Sequence, residues 1–251
     1  MGDFLEIIEI RGRMNLLAMK RLVLFLAVAI LSGLGLQSCD REENNGGTTV
    51  KWVDLGLPSG LLWADRNVGA QKTEDYGNYY AWGETSPKGV YDWTTYIYGN
   101  AEEHALTKYC CHPNYGLDGY IDNLITLEAS DDAASVNLGG NARMPSFYEW
   151  HELIENTTRT WTTRKGVYGL LLTASNGKSL FLPAAGSRFN SFHSYDLDDS
   201  YLYGCYWSNM LDNVGAGEAW VFNLDSDCMG AVGPGGRCDG FSVRAVRADK
   251  K

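Results

Sequence analysis

The sequence predicts a loop-rich domain of the α+β or mostly-β class, and three observations carry that expectation. Twenty-nine glycines, fifteen tyrosines and eight tryptophans stand against six prolines, which suits many tight turns around an aromatic core better than a helical bundle. Short apolar runs are punctuated by turn signals, Pro58-Ser-Gly60 and Asn176-Gly177 among them. A helix-start signature, Ser146 to Glu149, precedes an amphipathic stretch. With 45% hydrophobic and 21% charged residues the chain is globular, and its 251 residues suffice for one domain and a leader.

In chain order, residues 1–18 carry no readable signal and look like an over-long start, with Met19 the initiator. Residues 19–38 read as an export signal. Met19-Lys20-Arg21 is basic, and the apolar run from Leu22 to Leu36 is shorter than the ~20 residues of a membrane span. Leu36-Gln-Ser-Cys39 resembles a bacterial lipobox, which makes Cys39 the expected lipidation site and new N-terminus; Gln37 departs mildly from the small residue usual there. A plain secretory signal is the other reading. Residues 39–50 form a flexible tether to the membrane. Its Asp40-Arg-Glu-Glu43 resembles the tag with which some gut-dwelling Gram-negative bacteria send lipoproteins to the outer face of the outer membrane, although a solvated charge run reads the same way.

Loss of residues 1–38 removes Arg11, Arg13, Lys20 and Arg21 with Asp3, Glu6 and Glu9, leaving 17 basic and 28 acidic side chains and a net charge of −11. Such a surface repels nucleic acid and anionic lipid, so no nucleic-acid partner is expected.

The domain proper spans 51–251, with no repeat and no second domain. Apolar runs on either side of Pro58-Ser-Gly60 predict a hairpin. The aromatics from Tyr91 to Tyr98 read as core filling under long loops, a sugar-stacking groove being the alternative. Asp131-Asp132 stands where a helix should begin, favourable against its dipole; a paired-carboxylate acid/base site is the sharper alternative. Ser146 and Glu149 predict a capping box and a helix over 146–156, burying the side that carries Phe147, Trp150, Leu153 and Ile154. Gly169–Thr173 and Ser179–Leu182 predict a second hairpin around Asn176-Gly177.

Beyond Lys178 the composition changes: no Lys, Gln, Ile or Thr occurs up to Asp249. Leu180-Phe-Leu182, Trp207, Trp220-Val221 and Phe241-Ser-Val243 predict buried strand positions. Between them Arg188, Phe189, Asn190, His193, Cys205, Asn209, Phe222, Asp225, Cys228, Arg237, Cys238 and Asp239 are expected to converge on one exposed face that binds a ligand. Metal and catalytic signals are weak. Asn223-x-Asp225-x-Asp227 lacks the rest of a calcium loop, Cys110-Cys-His112 lacks metal-finger spacing, and neither a nucleophile elbow nor a phosphate loop occurs. No cofactor and no catalytic residue are assigned. With Cys39 lipidated, five cysteines remain, so at least one is free or paired between chains.

Six motifs in order, Val53-Asp-Leu-Gly-Leu-Pro-Ser-Gly-Leu-Leu-Trp-Ala64, Tyr80-Ala-Trp-Gly-Glu84, Asn141-Ala-Arg-Met-Pro-Ser146, Leu182-Pro-Ala-Ala-Gly186, Tyr206-Trp-Ser208 and Gly240-Phe-Ser-Val-Arg244, resemble the Fibrobacter succinogenes major paralogous domain. The resemblance covers about Val53 to Arg247. It implies a C-type-lectin-like fold in the variant used by formylglycine-generating enzymes, with small twisted antiparallel sheets, one or two short helices and long loops. Arg143-Met-Pro-Ser-Phe-Tyr-Glu-Trp150 resembles the helix opening of those enzymes. Their copper chemistry does not carry over, because Gly204-Cys-Tyr-Trp-Ser-Asn209 has one cysteine where they need two, five apart. The resemblance extends to target proteins of diversity-generating retroelements, whose mutated asparagine codons cannot encode Lys, Gln, Glu, Trp or Met. Within 187–239 only Trp207, Met210, Glu218, Trp220 and Met229 belong to that set. An ordinary glycine- and aromatic-rich loop composition remains the other reading. The expected function is a surface lipoprotein that binds an extracellular protein or glycan; a formylglycine-generating-like enzyme and a structural or adhesive subunit of a surface assembly are the alternatives.

Overall fold

A computed structural model of the chain describes residues 49–101, 105–190, 192–193, 202–212 and 217–249. The expected leader, the expected lipidation site Cys39 and the expected tether as far as residue 48 lie outside the described residues. Those described fold as α+β, with small, mostly antiparallel sheets and two α-helices.

The expected first hairpin is present. Strands β1 (Trp52–Asp54) and β2 (Leu61–Asn67) pair antiparallel with Val53 opposite Trp63, and the Gly60 amide closes the turn on the Leu57 carbonyl at 2.9 Å. The last strand, β13 (Arg244–Ala248), pairs with the free side of β2, so both ends of the domain share a sheet. Arg244 locks it there. Fully buried and with no carboxylate at ion-pair distance among the described residues, it donates to Asn67 Oδ1 and to the carbonyls of Ala64 and Phe181 at 2.7–3.0 Å. Burial pushes its pKa down to about 10.

Strand β3 (Tyr79–Tyr80) leads into the aromatic stretch, which is core. Tyr91 and Tyr96 are buried and donate to the carbonyls of Tyr79 (2.6 Å) and Trp82 (2.8 Å), while Trp93 is half-buried edge-on to Tyr96. The paired acids have separate structural tasks. Asp132 caps α1 (Ala133–Leu138) through the Ser135 amide and also accepts from the Met144 amide. Asp131 accepts from Lys108 Nζ (2.6 Å) and Tyr109 OH (2.5 Å).

Helix α2 (Phe147–Glu155) opens with the full capping box: Ser146 Oγ accepts from the Glu149 amide and Glu149 Oε2 from the Ser146 amide. Trp150 and Leu153 are buried, Phe147 and Ile154 half-buried. Trp150 lies 5.0 Å from Trp63 and stacks on Phe222 at 4.6 Å.

Next comes a meander of β4 (Thr157–Arg164), β5 (Val167–Ala174) and β6 (Ser179–Pro183). The β5–β6 hairpin turns where Asn176-Gly177 placed it. Strand β4 was not expected. Its Thr-rich run is β-branched but carries a single large apolar residue, Trp161, so a search for apolar runs passes over it.

A two-stranded ribbon follows, β7 (Arg188–Phe189) and β8 (Phe192–His193). The central sheet has the order β11 (Ala231–Gly236), β10 (Glu218–Asp225), β9 (Tyr203–Leu211), β12 (Phe241–Ser242), β3. Both of its faces are covered. Cys205, Trp207, Val221 and Phe241 pack with Tyr80 and Trp82, whereas Tyr206, Phe222 and Leu224 pack with Trp150, Leu170 and Leu182. The expected core positions are buried except Trp220, which is half-buried against Phe147 at 4.6 Å. No helix among the described residues is long and apolar enough to cross a membrane.

Candidate functional site

The segment after β6 is held on three sides by backbone pairing. The Gly186 amide donates to the Tyr203 carbonyl (2.7 Å), Arg188 and Gly240 exchange bonds of 2.7 and 2.9 Å, and Asn190 and Tyr91 exchange two of 2.7 Å. Gly240 must be glycine here, since a Cβ would meet the Tyr91 ring at 2.7 Å and Arg188 Cβ at 2.8 Å. This stitching holds the Arg188 guanidinium 5.3 Å from the centre of the Tyr79 ring. It also leaves Phe189 59% exposed at the ribbon. His193 pairs with Arg188 through the backbone.

Beside the ribbon lies a polar group on the β9–β10–β11 face. Cys205 is opposite Asn223 in register, and its thiol donates to Asn223 Oδ1 at 3.3 Å. Ser187 Oγ and Tyr203 OH are 2.7 Å apart. Strand β11 floors this area with glycines; a Cβ on Gly235 would meet Val221 at 2.6 Å and Phe241 at 2.7 Å. Asp239 sits half-buried in the turn that follows. Its carboxylate takes one side-chain contact, from the Cys238 thiol at 3.7 Å, and has no ion-pair partner among the described residues.

Burial pushes the Asp239 carboxyl up to about 6, against 3.8 for the free group. Burial, with Asp239 near by, likewise pushes the Cys205 and Cys238 thiols up to about 12, so neither supplies a thiolate at neutral pH. Asp239 holds its proton more tightly in the folded state. Its contribution to stability therefore falls as pH rises between about 4 and 6 and remains unfavourable above that range. Asp239→Asn should raise the melting temperature at neutral pH, and the gain should shrink to nothing as pH falls through that window. Equal melting of variant and wild type at neutral pH would show that the carboxylate is well solvated.

The twelve expected site residues do not all converge. Arg188, Phe189, Asn190, Cys205, Cys238 and Asp239 come together, but the two cysteines are buried and contribute packing more than contact surface. Phe222 is fully buried on the opposite face of the sheet, stacked on Trp150. Arg237 is also fully buried, because three acceptors and two aromatic rings satisfy its guanidinium inside the domain. Asn209 is buried near the far end of β9, where its backbone bonds Pro145 and Leu127. The expectation of exposure fails for these five. Asp225 and exposed Cys228 belong to the β10–β11 turn, where Asp225 Oδ1 accepts from the amides of Asp227 (2.8 Å) and Cys228 (2.6 Å). Among the described residues no three His, Cys, Asp or Glu side chains converge as a metal site, and all five described cysteines are free thiols. Tyr203, Ser187 and Asn223 were missed as members of this face; register across β9 and β10 places Tyr203 and Asn223, and the Gly186–Tyr203 backbone bond brings Ser187 to them.

Comparisons with protein-family models, curated proteins and solved structures find no match to the chain.

Proposed function

We propose that this chain is a lipoprotein anchored through Cys39 in the outer membrane and facing the cell exterior, and that its domain is C-type-lectin-like. It binds a protein or glycan ligand through the face made by Arg188, Phe189, Asn190, Tyr203, Asn223 and Asp239. The observation that carries this reading is Phe189: a large apolar side chain, more than half exposed, on a ribbon whose backbone is fixed by pairing on both sides. A rigid exposed aromatic beside a polar, hydrogen-bonding surface has the form of an interface anchor. Support for the lectin-like fold comes from the small antiparallel sheets, the pairing of first and last strands, and the long connections between them. Diversification is confined in this reading to the accessible positions, since changes at Phe222 or Arg237 would unpack the domain.

The test uses the purified chain on a printed glycan array and against a displayed peptide library. Arg188→Ala with Phe189→Ala should leave the melting temperature within a few degrees and lower capture of the members retained by wild type about tenfold or more. Retention of the same members at wild-type strength by the double variant, or of none by wild type, would remove the basis for this face.

A further inference from the structure

The acidic net charge conceals a local reversal. The chain carries a formal −10, yet a hollow of about 510 Å3 is walled by five cations, Lys51, Arg66, Lys72, Arg164 and Lys165. They come from separate segments: the approach to β1, the end of β2 with the loop beyond it, and the tip of the β4–β5 hairpin. The nearby carboxylates are already engaged. Asp65 takes a two-pronged contact from Arg66 at 2.8 and 2.9 Å and the Lys51 amide at 3.2 Å. Glu74 pairs with Lys165 at 2.9 Å, and Asp75 accepts from the amides of Gln71 and Lys72 at 3.1 and 2.9 Å. Among the described residues no carboxylate lies within ion-pair distance of Lys51, Lys72 or Arg164, all three exposed.

A second hollow of about 500 Å3 shares Thr49 and Gln71 with the first. It holds Arg247, whose guanidinium lies 4.4 Å from the centre of the Trp52 ring and whose Nε is buried without an acceptor among the described residues. Two adjoining hollows thus offer four cations, Lys51, Lys72, Arg164 and Arg247, with no carboxylate at ion-pair distance among the described residues, Glu74 acting on Arg164 only from farther off. Both open beside Thr49, ten residues after Cys39. Ten residues of chain reach at most about 35 Å, so a lipid on Cys39 would keep this edge near the bilayer.

We propose that these hollows seat the phosphate groups of anionic lipid headgroups in the membrane that holds the chain. The choice of a lipid source rests on the lipid-anchor reading; the excess of unmatched cations does not. Basic side chains close to an anionic leaflet are attracted individually and additively, over a distance set by the salt. The contact would fix which edge of the domain faces the bilayer, which an anchor at Cys39 alone does not.

The experiment is vesicle co-sedimentation of the full chain carrying Cys39→Ser, so that no acyl chain contributes. Phosphatidylcholine vesicles are compared with and without phosphatidylglycerol; insertion of the apolar segment 22–36, with basic Lys20 and Arg21 ahead of it, contributes equally to wild-type and variant hollows, so the difference between those two chains reads the site. Wild-type hollows should favour the anionic vesicles, and added salt should erase the preference. Replacing Lys51, Lys72 and Arg164 together by Gln should cut that preference by about a hundredfold, leave binding to neutral vesicles unchanged, and leave the melting temperature within a few degrees. Equal partition onto both vesicles, no loss in the triple variant, or equally tight binding of free glycerol phosphate would overturn the proposal. Cellular fractionation of Cys39→Ser reports separately on the anchor. If that variant leaves the membrane fraction while the purified chain ignores phosphatidylglycerol, the anchor stands and the headgroup site falls.

Discussion

Trp207→Ala should cost about 3–5 kcal/mol of stability, the range for removing a large aromatic from a packed core. Trp207 is fully buried at the centre of β9, its ring 4.4 Å from that of Phe241. Its indole donates to the Tyr80 carbonyl at 2.6 Å, so the variant also leaves a buried acceptor unpaired. The damage is directed, because Tyr80 and Phe241 belong to the paired strands β3 and β12 beside β9. Urea denaturation at constant m-value measures it. A midpoint equivalent to less than about 1 kcal/mol of loss would mean the site collapses around the alanine. Phe189→Ala, by contrast, removes a ring already more than half in water. The pair separates framework from surface within the same C-terminal region.

Capping and turn signals in the sequence are legible because their cause is local. The Ser146/Glu149 capping box and the Asn176-Gly177 and Pro58-Ser-Gly60 turns each depend on a few neighbouring residues, and each is present. Strand β4 was lost because its pattern is threonine-rich, not apolar. The candidate face was read less well for a different reason. Ala219-Trp-Val-Phe-Asn-Leu224 lies in a strand covered on both sides, so alternation between core and solvent is absent and Phe222 carries no sign of which way it points. Composition grouped Phe222 with the loop residues; packing against Trp150 from helix α2 settles its place. The basic hollows were invisible for the same kind of reason, since Lys51, Lys72 and Arg164 are brought together only by tertiary contact and the net charge averages them away.

Arg237 is the sharpest such case, and its substitution decides between the two roles open to it. A lone arginine between glycines and a cysteine reads as a surface anchor, because arginine is seldom fully buried. In the fold its Nε donates to Tyr96 OH and its two terminal nitrogens to the carbonyls of Tyr109 and Lys108, each at 3.0 Å. The guanidinium also lies 5.1 Å from the Trp82 ring and 5.3 Å from that of Tyr96. These acceptors sit more than a hundred positions earlier in the chain, so no local pattern could announce them. Arg237→Ala would leave two carbonyls without their donor and take the donor from Tyr96 OH, which keeps its own bond to the Trp82 carbonyl, and should cost about 3–5 kcal/mol. Arg237→Lys keeps the charge but cannot reproduce the planar fork, and should fall between alanine and wild type. Hydrogen exchange should localise the loss, with early opening of the segment around Lys108–Cys110 in both variants. If Arg237→Ala instead melted like wild type and lost capture on the glycan and peptide arrays, the arginine would be a ligand anchor after all, and the buried fork would have to open for it to bind.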